Sequence, residues 1–261
     1  MTSLTYIIIY GLLMCAISFT GSLSLLLPEQ WLRKSILPMV AFAAGSLWGG
    51  AFFHLIPRAV ENFQDLDDLF LLTTAGFIFF FILEHFIHWH HCHRSPAEAH
   101  NHSHTHDHSH GHSHGKKPLG HLILIADTVH NLVDGLGIGA LFTIDIKMGI
   151  TAWIATAIHE IPQEIGDFGL LIHSGWTKKQ ALLFNFLSSL TFLFAGILAY
   201  YISNYINLMW LVPFTAGNFI YIVAADLIPE LIQYEDMKHK LISLSFFILG
   251  ILTLYLTHHT H

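Results

Sequence analysis

Two long apolar stretches of this 261-residue chain each carry a line of ionisable side chains through the middle, and that combination leaves few folds open. The first reads HLILIADTVHNLVDGLGIGALF from His121 to Phe142, and the second reads MGITAWIATAIHEIPQEIGDFGLLI from Met148 to Ile172. Only Thr143 to Lys147 separate them, so as helices they must run antiparallel and side by side. Counted from Asp145 at the turn, His130 lies 15 residues back and Glu160 lies 15 residues forward. At the helical rise per residue both stand about 22 Å from the turn, at one depth.

Asp127, Asp134, Glu160, Glu164 and Asp167 lie on these stretches, with no Lys or Arg between Leu119 and Phe142 or between Gly149 and Ile172. A lone charge at mid-membrane costs roughly 2.5 to 3.5 kcal/mol even on the lenient insertion scale. Residues four apart share a helix face, which pairs His130 with Asp134, His159 with Gln163, and Glu160 with Glu164. Nitrogen and oxygen donors therefore confront one another with no counter-ion from the chain. A divalent cation, or protons in its place, is the simplest compensation. Asn131 extends the polar line on the first helix. Pro162 falls inside the second, where it frees the carbonyl of Ile158 and is expected to kink the helix beside the candidate ligands.

The rest of the chain fits a membrane setting. With 53% hydrophobic and 11% charged residues it is not an ordinary soluble domain. Eight runs approach the ~20 residues that cross the hydrocarbon of a bilayer. They are Leu4 to Leu27, Ile36 to Ile56, Leu69 to Trp89, Leu119 to Phe142, Met148 to Ile172, Ala181 to Tyr201, Leu208 to Ile232 and a short last one, Leu241 to Leu256. The first lacks a preceding basic residue and has Arg33 and Lys34 after it, so it reads as a retained span rather than a cleaved signal. The expected fold class is thus an all-α membrane protein.

Its organisation is helices one to three in 1–91, a polar loop in 92–118, the two site-bearing helices in 119–172, and helices six to eight in 173–261. Nine basic residues fall in the first, third, fifth and seventh loops, against Arg58 and Lys147 elsewhere. The positive-inside rule then places both termini outside, extracellular or periplasmic, in a cell membrane. A net charge of −7 without a basic patch or phosphate loop argues against nucleic acid as a partner. Cys15 and Cys92 have no CxxC spacing and are not placed as a disulfide.

An internal match links the second and seventh spans. AGSLWGGAFFHLIPRA from Ala44 and AGNFIYIVAADLIPEL from Ala216 share AG and LIP in one register, with His54 opposite Asp226. The topology makes them run in opposite directions, an inverted repeat of three helices on each side of a central pair. Such repeats characterise transporters with a substrate site near the midplane. His54 near the outer end of the second span, and Asp226 and Glu230 near the inner end of the seventh, are candidates for the ends of a transport path. Glu84, His85 and His88 at the end of the third are further candidates. Asp127, Glu164 and Asp167 lie further inward than His130 and Glu160, grading the polar line towards the cytoplasm.

Between Cys92 and Pro118, HRSPAEAHNHSHTHDHSHGHSHGKKP is polar and low in complexity. His100, His102, His104, His106, His108, His110, His112 and His114 alternate with small or polar residues, a pattern that forms no core. Imidazole at this density binds zinc, copper or nickel weakly at many sites. A cytoplasmic metal buffer or sensor is the expected role.

HNLVDG (His130 to Gly135) and HEIPQEIGDF (His159 to Phe168), following a His-rich loop, resemble the ZIP family of zinc and iron permeases. That resemblance implies a 3+2+3 arrangement, a binuclear metal site between helices four and five, and influx to the cytoplasm. It also implies an elevator-like movement against a dimeric scaffold, hence a homodimer. By position His130, Asp134, His159 and Gln163 match ligands of a first metal, and Asn131, Asp134 and Glu160 those of a second. Some members carry Glu where this chain has Asp134 or Gln163, or a ligand Glu on helix six, where Asn185, Ser188 and Ser189 stand here. Ser46 or Leu47 falls where some members have a Met ligand.

Two imidazoles with carboxylates suit zinc, the expected transported substrate, and also iron, cobalt, nickel, cadmium or manganese, better than magnesium or calcium. Metal entry should displace protons, which predicts pH-sensitive uptake. No organic cofactor and no enzymatic activity are expected. A zinc exporter of the cation diffusion facilitator type would have six spans and a folded cytoplasmic tail. An intramembrane zinc hydrolase needs HExxH, and in HEIPQ Gln163 replaces the second His.

Overall fold

The structure, a computed structural model, describes residues 2–26, 28–92, 117–234 and 236–259. The His run from His100 to His114 lies outside the described residues, as do the side chains of Glu84 and His88. Every regular element among the described residues is helical. Helix α1 (Ser3–Ile17) is followed by the short α2 (Thr20–Ser24). The break between them coincides with hydroxyls that bond back to the chain, Ser18 Oγ to the Cys15 carbonyl at 2.8 Å and Thr20 Oγ1 to that of Ile17 at 2.7 Å. Next come α3 (Glu29–Gly50), α4 (Ile56–Asn62), α5 (Leu66–Cys92), α6 (Lys117–Ile144), α7 (Ile146–His173) and α8 (Lys178–Ile202). The chain ends with α9 (Leu211–Ile222), α10 (Ile228–Ile232) and α11 (Met237–His259).

Six of the helical stretches are long and apolar enough to cross a membrane by length and composition. Helices α6 and α7 are not among them, although each has 28 residues. Their buried carboxylates lower the hydropathy that length alone would satisfy. Outward faces elsewhere are apolar: Leu71 is 68% and Phe194 64% exposed, a pattern suited to lipid. The last helix has 23 residues, longer than the short run Leu241 to Leu256 implied.

Asp145 alone joins α6 to α7, in extended backbone, and its side chain accepts from the Met148 amide at 2.8 Å. This N-cap starts α7 the moment α6 ends, so the two pack antiparallel as the spacing required. Helix α7 continues through Pro162. Widened π turns interrupt the matched segments, at Ala51–Leu55 between α3 and α4 and at Val223–Leu227 between α9 and α10. Each sits just ahead of a proline. Pro57 and Pro229 have no amide to give the carbonyls of Phe53 and Ala225, and the ladder shifts to bonds five residues apart. Ile56 N donates to the Ala51 carbonyl and Ile228 N to that of Val223.

The matched segments also share a packing device. Helix α3 lies against α11 and α9 against α5, close enough for backbone to touch backbone. A Cβ on Gly45 would overlap the Phe247 carbonyl of α11, and one on Gly217 would overlap the Thr73 carbonyl of α5. These glycines are the G of the two AG pairs. The main apolar core then forms where α3, α7 and α9 meet, from Ala44, Leu47, Ala51, Ala152, Ala155, Ala216 and Phe219. Small residues there let the site-bearing α7 approach both neighbours.

Candidate metal site

One turn of α6 and one of α7 bring their polar lines together at the depth the sequence count gave. His130 and Asp134, four residues apart, face His159 and Glu160. One ligand atom from each of these four lies within 4.8 Å of the others. His130 Nε2 is 3.3 Å from His159 Nε2, 3.5 Å from Asp134 Oδ2 and 3.4 Å from Glu160 Oε1. His159 Nε2 is 3.6 Å from the same Glu160 oxygen. Asp134, His159 and Glu160 are each at most 2% exposed. Two ring nitrogens and two carboxylate oxygens come together, a donor set that could hold a divalent cation.

A second cluster adjoins the first through Glu160. Asp127, Glu160 and Glu164 also bring one oxygen each within 4.8 Å of one another, and all three are buried. Amides line it. Asn131 Nδ2 donates to Asp127 Oδ1 at 2.8 Å and to the Asp127 carbonyl at 3.1 Å, and Asn185 of α8 donates to Glu164 Oε2. Asn185 thus reaches the cluster from the position where the sequence offered no carboxylate. Amide donors stabilise buried carboxylates without adding a cation that would repel a metal.

His130 and His159 of the first cluster line a cavity of about 600 Å³. His130, His159, Gln163, Asp127 and Asp167 line it from α6 and α7, and Asp226 and Glu230 line it from the π turn Val223–Leu227 and α10. None of the described residues lining it is Lys or Arg. Phe80 closes over His130 with ring centroids 5.8 Å apart. Of the other candidates, His85 is exposed and stacks on Phe81, centroids 5.8 Å apart. His54 is not among the lining residues; its Nε2 lies 2.9 Å from the Leu254 carbonyl of α11. Ser46 and Leu47 are fully buried, and Ser46 Oγ has no hydrogen-bond partner. Cys15 is a buried free thiol, 3.5 Å from the Ser189 carbonyl.

One residue at the site escaped the sequence reading. Asn218 of α9 is 1% exposed and donates to Asp134 Oδ1 at 2.6 Å. The signal was present: an Asn inside the apolar segment AGNFIYIV, one step past the matched AG.

Apolar helices long enough to cross a membrane, packed around a cluster of imidazole and carboxylate donors, make this a multi-pass helical membrane protein. Residues 3–258 match the family described as ZIP Zinc transporter, and the chain belongs to that family. Zinc transporter zipt-7.1 of Caenorhabditis briggsae is 32% identical over 244 residues, covering 76% of this chain and 62% of its own length. Zinc transporter ZIP13 of Mus musculus is 27% identical over 254 residues, covering 84% and 68%. Zinc transporter zipt-7.2 of Caenorhabditis elegans is 37% identical over 146 residues, covering 54% and 32%. The chain therefore spans less than two thirds of zipt-7.1 and about a third of zipt-7.2.

Proposed function

We propose that this chain carries divalent cations, zinc foremost, across a membrane into the cytoplasm. Iron, cadmium, manganese and cobalt are secondary substrates on the same donor chemistry. His130, Asp134, His159 and Glu160 hold the ion, with Gln163 beside His159, and Asn131 and Glu164 belong to the adjoining second cluster. The observation that carries the reading is the convergence of four ligand atoms, three of them on buried residues, from two antiparallel helices beside a cavity with no Lys or Arg among its described lining residues. Membership of a family of zinc transporters supports the choice of cargo.

In this reading α6 and α7 cross the membrane with the six apolar stretches, giving eight spans in a 3+2+3 arrangement. The domains are 1–91, 92–118, 119–172 and 173–261. Both termini face outside at a cell membrane. The lining residues of α3, α5, α6, α7, α9 and α10 then run from the middle of their spans, where His130 and His159 stand, to the cytoplasmic ends, so the cavity is the inward path, ending at Asp167, Asp226 and Glu230. The matched π turns and the matched backbone contacts support the inverted repeat and, with it, elevator-type alternating access by a homodimer. The His run buffers the ion where it leaves.

Zinc flux into proteoliposomes tests this directly. His159→Ala or Asp134→Ala should lower uptake at least tenfold, about the loss expected when one ligand or its support is removed. Wild-type uptake by both would overturn the site. Deleting 100–114 should leave uptake running.

A further inference from the structure

The two oxygens of Asp134 have different surroundings. Oδ1 accepts from Asn218 Nδ2 at 2.6 Å, whereas Oδ2 has no hydrogen-bond partner and lies 3.5 Å from His130 Nε2, inside the ligand cluster. Asn218 and Asp134 are each 1% exposed, so water does not compete for either oxygen. The donor comes from α9, a helix outside the α6–α7 pair. It is not a demand of the packing there, because the matched position in α3 is Ser46, whose buried hydroxyl has no hydrogen-bond partner. An amide is neutral at every pH of interest and can only give a proton to the bond with a carboxylate, so it occupies that oxygen without adding charge.

We infer that Asn218 is a positioning residue for transport: it occupies Asp134 Oδ1 so that only Oδ2 reaches the cation, holding the carboxylate to one bond. This rests on the site proposed above. A carrier must release what it binds, and ligands that are individually weak permit this. A carboxylate freed from Asn218 would turn its second oxygen to the ion, hold it more tightly and let it go more slowly. Asn218 thereby tunes exchange rather than supplying a ligand.

Asn218→Leu keeps nearly the same volume and removes the donor. Zinc dissociation constants of the purified protein, measured by competition with a chelating dye, should fall about tenfold, the size expected for one hydrogen bond to a charged group. KM and Vmax for uptake should fall together. Asp134→Asn should weaken zinc binding, and in that background Asn218→Leu should change it no further. Unchanged or weaker zinc binding by Asn218→Leu, in protein with wild-type thermal stability, would overturn the inference while leaving the site intact. If Asp134→Asn itself leaves zinc binding untouched, the site reading fails instead. Should Asn218→Leu not fold, Asn218→Ala carries the same comparison, and a lower Vmax at unchanged KM would mark a structural role only and overturn the inference.

Discussion

Ala44–Ala59 and Ala216–Leu231 share a backbone and differ in their side chains. Each has a glycine pressed on a neighbouring helix, a π turn seven residues beyond its first alanine, and a proline that explains the turn. Position for position, however, Ser46 faces Asn218, His54 faces Asp226 and Arg58 faces Glu230. Asp226 and Glu230 line the cavity; Arg58 pairs with its own neighbour Glu61 at 3.2 Å. The common features are those that close packing and proline impose on any helix built this way. The differences are chemical, and acids gather on the segment that borders the cavity. Two similar backbones can thus carry opposite electrostatic faces.

The largest effects should come from what the segments share. Gly45→Leu and Gly217→Leu each drive a side chain into a carbonyl of the neighbouring helix, where neither backbone can yield. Overpacking costs about 1–3 kcal/mol or more, and here both helices of a pair must separate. Both variants should lose monodisperse protein on size exclusion after detergent extraction. If one assembles normally, the two contacts are not equivalent and the comparison breaks at its base.

Smaller effects should follow from what differs. Asp226→Asn with Glu230→Gln removes two acids from the cavity lining, and zinc uptake should fall roughly three- to tenfold through a lower local cation concentration. Raising ionic strength should shrink the gap between variant and wild type, since exposed charges are screened. Arg58→Gln, its counterpart in the other segment, should change uptake by less than about twofold, because an exposed ion pair contributes little. Equal losses on the two sides would remove the electrostatic asymmetry.

How far these features could be read beforehand depended on their origin. The facing donors were legible because i and i+4 spacing, and a short turn around Asp145, fix relative position along and across two helices. His130, Asp134, His159 and Glu160 needed nothing else. Asn218 was hidden because its partner is set by how α9 packs on α6, and no spacing rule connects residues 84 positions apart. The π turns were hidden for a different reason. Pro57, Pro162 and Pro229 all break one hydrogen bond, yet only the first and last follow a π turn, while α7 remains helical. Proline marks where a ladder is weakened, and the surrounding packing decides how the chain responds.

The smallest expected effect sharpens the comparison most. Ser46 and Asn218 occupy the same position of the matched segments, but the Ser46 hydroxyl is buried without a hydrogen-bond partner while Asn218 is bonded to Asp134. Removing an unpartnered buried polar group recovers part of its desolvation cost, so Ser46→Ala should leave the melting temperature unchanged or raise it by about 2 °C. Zinc affinity should not move. A weakened zinc affinity would mean that α3 also reaches the ion, that both segments touch the site, and that the division between a bonded and an idle position is wrong. Because the substitution deletes one atom in a closely packed interior, a change in affinity without a change in melting temperature could come only from the lost oxygen.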